Sequence, residues 1–280
     1  MTLFESFVTK LQAGMETPAA FGLFHIAFLL LTVLAAVLLV WRFRDAEEKT
    51  VRRILLITWT VLLVMELYKQ LVFSYREDLC WPGHMMWGYQ WYSFPFQLCS
   101  SPLYMLPLAA LLKDGRFKDA VTSFLATFSV FGGLAVMLYP NDVFVGMIGI
   151  NIQTMLHHGA QIAIGVLLAA RNRKRWTLTL FCKGILPFTA LCAVALLLNE
   201  IMYAYFQSGT VTDVYAVFNM FYISRHYGCS LPLLSAVYLK VPYPVFLLVY
   251  VLGFVLVAAL IFLIEKGCIR LAARLGKKAA

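Results

Sequence analysis

Seven apolar stretches follow one another along the chain, each close to the ~20 residues that a helix needs to cross a hydrocarbon layer of ~30 Å. They cover residues 18–41, 54–75, 95–112, 120–139, 145–170, 177–206 and 245–264, the third being short and the sixth long. A soluble core of 280 residues cannot bury a composition that is 62% hydrophobic and 13% charged. The expected fold class is an all-α polytopic membrane protein, one domain of seven transmembrane helices over residues 1–280 with no internal repeat. The first stretch follows a nearly uncharged tail rather than a basic segment, so it is expected to remain as the first helix instead of being cleaved as a signal.

In a soluble chain the net charge of +9 would point to nucleic acid. Here the basic residues concentrate in every second loop, on one side of the membrane. Clusters at 42–53, 113–118, 171–175 and 266–278 hold most of the 23 Lys and Arg, against Lys10, Arg76, Arg225 and Lys240 in the other loops. The positive-inside rule then puts the N-terminus outside and the C-terminus in the cytoplasm. An integral protein of the cell (plasma) membrane follows, with no nucleic-acid partner, and monomer or oligomer stays open.

Two segments on the outside face stand out. Residues 76–94 carry three Trp and two Tyr, rings that favour the headgroup zone, and are expected to cap the bundle. Residues 208–243 are too long for a bare loop, and VYAVFNMFYI within them is too short to span, so a re-entrant or interfacial helix is expected. Cys80 and Cys229 both fall in these outside segments and can pair if their Cα atoms come within about 7 Å.

Ionisable groups inside a bilayer are costly and need partners or a wet cavity. In this chain they concentrate in the outer half: His25, then Glu66, Lys69 and Gln70, then Cys99, His157, His158, Asn199 and Glu200. The expectation is one cavity open to the outer leaflet. In the fifth stretch Asn151, Thr154, His158 and Gln161 recur at i, i+3, i+7 and i+10, drawing one polar stripe, while His157 lies about 100° away. The longer stripe and the adjacent Gly159 favour His158 over His157 as the imidazole that enters a site.

Asn151, Thr154 and Gln161 read more simply as interhelical hydrogen-bonding residues, each contact contributing about 0.6 kcal/mol. His25 reads as a satisfied buried histidine. Glu66 and Lys69, at i and i+3, are either a structural ion pair or functional groups.

The stretch FPFQLCSSPLY sets Gln97, Cys99, Ser100 and Ser101 between Pro95 and Pro102. Pro95 suits a first helical turn, which would place Cys99 about one turn inside a helix N-terminus, where partial positive charge favours a thiolate. Pro102 would break the helical bonding to Leu98 and leave the backbone beside the cysteine irregular. Free N–H groups and the hydroxyls of Ser100 and Ser101 are then available to a developing oxyanion. Thiol, imidazole and donors together make the parts for acyl transfer. A buried inert cysteine in a kinked helix fits the same letters.

The motifs FGLFHIAFLLL, FPFQLCSSPLY, YPNDVF, LHHGAQIAIG, NMFYISR and PYPVFLLVY, in this order over nearly the whole chain, resemble the YwaF-type family of bacterial integral membrane proteins, related to human transmembrane protein 164. The resemblance implies a seven-helix fold. It also implies an acyltransferase that moves a fatty acyl chain between phospholipids through an acyl-cysteine, with Cys99 as nucleophile and His158 or His157 as its partner. Bacterial relatives often carry histidine where this chain has Gln97. A distant branch, the androgen-induced fatty-acid-ester hydrolases, uses threonine in place of the cysteine.

The functional expectation is thus an intramembrane lipid acyltransferase or lipid-ester hydrolase acting on membrane phospholipids or fatty-acyl esters, needing neither metal nor cofactor. The alternative is a transporter or small-molecule-binding protein that uses His25, Glu66, Lys69 and Glu200 as a relay. A seven-helix receptor shares the parity and little else.

Overall fold

The structure, a computed structural model, describes residues 2–77, 79, 84–209 and 216–278, and it is mostly helical. Among the described residues five helices are long and apolar enough to cross a membrane: Leu23–Phe43, Glu48–Ser74, Arg116–Leu138, Leu178–Gln207 and Tyr243–Leu275. We number the elements in chain order: α1 (Leu3–Leu11), α2 (Leu23–Phe43), α3 (Glu48–Ser74), α4 (Pro102–Leu111), α5 (Arg116–Phe124), α6 (Val130–Leu138), α7 (Ile148–Arg171), α8 (Leu178–Gln207), α9 (Leu234–Tyr238) and α10 (Tyr243–Lys278).

The helix α1 escapes the apolar pattern of the sequence because it is short and amphipathic. Thr2 and Glu5 cap it reciprocally, the Thr2 hydroxyl accepting from the Glu5 N–H and the Glu5 carboxylate accepting from the Thr2 N–H. Phe4 packs edge-on against Tyr75, where a two-residue ribbon begins: β1 (Tyr75–Arg76) pairs with β2 (Met86–Trp87), Tyr75 opposite Trp87. The Glu5 carboxylate also accepts from the Met85 N–H, and these backbone donors hold its pKa at about 2.

Its folded pKa lies below the unfolded value of 4.5, so its contribution to docking α1 is present above 4.5 and is lost as pH falls toward 2. Hydrogen exchange of residues 3–11, corrected for intrinsic rates, should accelerate over that window, and Glu5→Gln should show the fast pattern already at pH 7. Unchanged protection would mean that the carboxylate does not anchor the helix.

The fourth apolar stretch is one helix interrupted by a π-helical turn, Leu125–Ser129, between α5 and α6. Small residues let α7 pack closely on two neighbours. A Cβ on Gly133 would stand 2.8 Å from the His158 carbonyl oxygen, and one on Gly159 would run into the Thr32 hydroxyl of α2. The close neighbour admitted at Gly159 is therefore a helix. The apolar side chains of α2 that face away, among them Leu30, Val33, Leu34 and Val37, are exposed, as expected for a helix at the rim of a membrane bundle.

At one end of the bundle the basic loops converge through ion pairs. Glu48 accepts from both Lys118 and Arg171, Arg173 bonds Asp45 at 2.6 Å, and Asp119 bridges Arg175 and Lys183. The Arg173 guanidinium holds the Asp45 carboxyl below its ordinary range. The described parts of segments 75–101, 139–147 and 208–242 gather at the opposite end.

Two expectations need correction there. The third apolar stretch does not start a helix at Pro95; α4 begins at Pro102, which takes the first helical position where its missing N–H costs nothing. Residues ahead of it are pulled straight, with Gln97 extended (φ −99°, ψ 168°), followed by a 3₁₀ turn over Leu98–Ser100. In 208–243 the described part of VYAVFNMFYI forms no α-helix. It is a buried irregular strap with one 3₁₀ turn, Met220–Tyr222, and Phe218, Met220, Phe221 and Ile223 are all at most 2% exposed. Such backbone is tolerated in a membrane bundle only when protein groups satisfy it, and side chains of the long helices do so. The described part of segment 76–94 likewise holds ribbon residues and a 3₁₀ turn, Trp91–Ser93, with Trp91 packed on Phe206.

Candidate active site

Cys99 sits in the 3₁₀ turn, two residues ahead of Ser101, the N-cap of α4. It lies just before a helix N-terminus instead of one turn inside, with the positive end of that helix still directed at the turn. The Ser100 and Ser101 N–H groups donate to the Gln97 and Leu98 carbonyls at 2.9 and 3.1 Å, so neither is free for an oxyanion. The Ser101 hydroxyl is buried without a partner among the described residues. The backbone beside the cysteine is irregular, as Pro102 implies.

The imidazole that reaches this turn is His157. Its Nε2–H donates to the Cys99 carbonyl oxygen at 2.9 Å, and Gln161 donates to the same oxygen at 2.6 Å. A carbonyl only accepts, so Nε2 carries the proton and Nδ1 carries the lone pair. That Nδ1 is buried with no partner among the described residues. His158, favoured by the longer stripe, turns instead to its own helix and donates from Nδ1 to the Thr154 carbonyl at 2.6 Å. Helical phase decides this: the two rings diverge by about 100°, and Gly132 of α6, where a Cβ would stand 3.6 Å from the Cys99 Cα and 3.5 Å from the Gln161 oxygen, brings the turn against the His157 and Gln161 side.

Glu66, buried, and Lys69, part-buried, pair at 2.9 Å on α3, and Gln70 donates to Glu66 at 2.6 Å and to the Ser93 carbonyl at 2.9 Å. The Cys99 turn, His157 and Gln161 make one polar cluster.

The remaining candidates are elsewhere, so the single shared cavity is not what the fold builds. His25, fully buried, accepts from the Phe21 N–H at 2.9 Å and donates to the Met137 carbonyl at 2.8 Å, a satisfied structural histidine joining α2 to α6. Asn151 makes two bonds with the Val145 backbone, at 2.9 and 2.7 Å, and pins the loop that enters α7. The Thr154 hydroxyl points to Gln153 at 3.5 Å. Glu200 pairs with Arg225 at 2.8 Å and His226 at 3.1 Å, tying α8 to the strap. Cys80 lies outside the described residues, and so does its expected pairing with Cys229. Among the described residues no group of three or more His, Cys, Asp or Glu is placed to hold a metal ion.

The sequence reading missed the strap itself. Gln97 clamps it with both ends of its amide, donating to the Asn219 carbonyl at 3.0 Å and accepting from the Phe221 N–H at 2.6 Å. The motif NMFYISR was visible as a string, but nothing in its spacing tied it to residues 97–99.

No curated protein matches this chain, and no solved structure does. The pattern of the TMEM164 family matches residues 20–264, which takes in α2 through most of α10 and the whole polar cluster around Cys99; the chain belongs to that family.

Proposed function

We propose that this protein is an intramembrane acyltransferase or lipid-ester hydrolase of the plasma membrane, in which Cys99 takes a fatty acyl group from a membrane phospholipid or other fatty-acyl ester. The carrying observation is His157, locked by the Cys99 carbonyl into the tautomer whose Nδ1 lone pair is buried and unshared. A buried imidazole with its basic nitrogen unpaired, resting on a cysteine at a helix N-terminus, has the parts of an activated thiol.

In the first half-reaction the thiol proton passes to His157 Nδ1 as sulfur bonds the ester carbon and the carbonyl electron pair moves to oxygen. The carbonyl then reforms, the ester C–O bond breaks, and the imidazolium returns the proton to the departing alkoxide. In the second, the hydroxyl of water or of another lipid attacks the thioester, the same nitrogen takes its proton, the C–S bond breaks as the carbonyl reforms, and the imidazolium returns the proton to the departing thiolate. Gln161 keeps the Cys99 carbonyl in place while the imidazole changes charge.

The proposed topology is seven crossings with the Arg171 end in the cytoplasm. It is supported by the five long apolar helices, by α7, whose 24 residues extend about 36 Å, and by the convergence of the basic loops at one end. The α4 half-helix and the extended turn before it would make the third crossing, a broken helix of the kind that membrane proteins place at sites.

Mass spectrometry of the protein reconstituted in phospholipid bilayers should find an acyl thioester on Cys99, labile to hydroxylamine at neutral pH and absent from Cys99→Ala. A Cys99→Ser variant that turned over lipid ester at the parent rate would remove the thioester step. A transport role would instead show substrate uptake lost with Glu66→Gln and kept with Cys99→Ala.

A further inference from the structure

The short helix α1 is turned the wrong way round for a helix that meets water. Its carboxylate faces the protein, with Glu5 8% exposed and Val8 fully buried, while Leu3, Phe4 and Phe7 point outward, 93%, 47% and 54% exposed. Facing water, that side would cost about 25 cal/mol for each Å² of bare hydrocarbon. The helix is not free to roll it under. The Thr2 and Glu5 capping box and the Met85 N–H hold the carboxylate inward at one end. At the other, Gln12 donates to the Val72 and Tyr75 carbonyls at 2.9 and 2.8 Å, and Tyr68 donates to the Leu11 carbonyl at 2.8 Å. The next loop is pinned too, the Met15 N–H donating to the Gly146 carbonyl at 3.0 Å.

The mounting of α1 says what meets its outward face. On α3 the exposed Ile57, Val61 and Val64 mark a stripe, and continuing it at helical spacing gives Tyr68, Val72 and Tyr75, the residues to which α1 is bonded. Helix α1 therefore covers the outer end of a face of α3 that lies bare below it, and its own apolar side carries that bare surface on. Tyr75 stands about 27 Å along the axis from Ile57, so α1 lies near the edge of a hydrocarbon layer about 30 Å thick. The ribbon beside it adds Met86 and Trp87, both exposed, through a chain of rings: Phe4 on Tyr75 at 5.0 Å and Tyr75 on Trp87 at 5.9 Å. Aromatic rings of this kind settle at the edge of a bilayer. Lys10, exposed in the last turn, has the reach to set its ammonium among headgroups.

We propose that α1 is a membrane-surface anchor: its Leu3, Phe4 and Phe7 side enters the acyl-chain boundary of the leaflet at the Cys99 end of the bundle, with Met86 and Trp87 beside it. The partner is lipid hydrocarbon, not an anionic headgroup, because the inserted side carries no basic residue. The anchor is independent of the acyl-cysteine reading.

The full-length protein is placed in phosphatidylcholine vesicles with a photoreactive side chain in α1, as Phe7→p-benzoylphenylalanine and, separately, Leu3→p-benzoylphenylalanine. After irradiation, mass spectrometry reads what each position has bonded, with Leu34→p-benzoylphenylalanine on the exposed side of α2 as reference. Both α1 positions should give phosphatidylcholine adducts on the acyl chain, in yields within about tenfold of the reference. Replacing a third of the lipid by phosphatidylglycerol should change those yields less than about twofold. The two positions are independent, so if one variant loses the parental melting temperature the other decides. A covalent dimer through position 3 or 7 would overturn the proposal in favour of a second copy of this chain. Protein without lipid adduct at either position, beside a clear adduct at Leu34, would overturn it in favour of water. Adducts that formed only with phosphatidylglycerol present would overturn hydrocarbon as the partner.

Discussion

His157→Ala is expected to slow acylation of Cys99 by about 10²–10⁴-fold, the ordinary worth of a positioned general base, while His158→Ala stays within about tenfold of the parent. The adjacent histidines make this a sharp comparison, because depth and helix are shared and only ring direction differs. Each ring donates one N–H to a backbone carbonyl and buries an unshared second nitrogen, but His157 bonds the cysteine's own carbonyl while His158 bonds the Thr154 carbonyl one turn back on its own helix. The fold should survive the first substitution, since Gln161 still donates to the Cys99 carbonyl at 2.6 Å. Acyl-adduct formation followed by mass spectrometry at equal melting temperature checks the pair. The reverse order, His158→Ala inactive and His157→Ala active, would show that the ring resting on Cys99 is structural.

Gly133→Ala should lower both stability and acylation, whereas Gly253→Ala should do neither. A Cβ at Gly133 would stand 2.8 Å from the His158 carbonyl oxygen and 3.0 Å from Ile162, and a backbone oxygen cannot rotate out of the way. Helix α7 must therefore move off α6, at a cost of about 1–3 kcal/mol for the overpacking. His157 and Gln161 ride on α7, so the same displacement pulls the imidazole from the Cys99 turn, and a shift near 1 Å can cost about 10²-fold in rate. Gly253, in α10, has open space where its Cβ would be, so alanine there gains up to about 1 kcal/mol of helix propensity. Thermal unfolding in nanodiscs and the acylation rate are the two readouts. A Gly133→Ala protein with parental values for both would mean that α6 and α7 are less tightly opposed than this packing requires.

Much of the framework is legible in the letters. The positions of the five long apolar helices follow from runs of side chains that only lipid or protein can surround, and α7 ends within a few residues of where its polar and apolar pattern changes. The irregular backbone at Cys99 follows from Pro102, which has no N–H to give. The helix α1 was not legible, because nine amphipathic residues at a membrane surface leave too weak a signal beside the apolar stretches. The start of α4 was misplaced because two prolines compete for one role, and the choice falls to Gln97, whose amide finds its partners in a strap more than a hundred residues later.

Composition and periodicity alone made this an apolar helical bundle with a thiol on one stretch and two imidazoles on another, since those properties are carried by each segment separately. Which imidazole meets the cysteine, and that an irregular strap is bonded to the turn that carries it, were decided only by tertiary packing. Both depend on close approaches at Gly132 and Gly133 and on hydrogen bonds between distant segments, and neither kind of contact leaves a trace in local sequence.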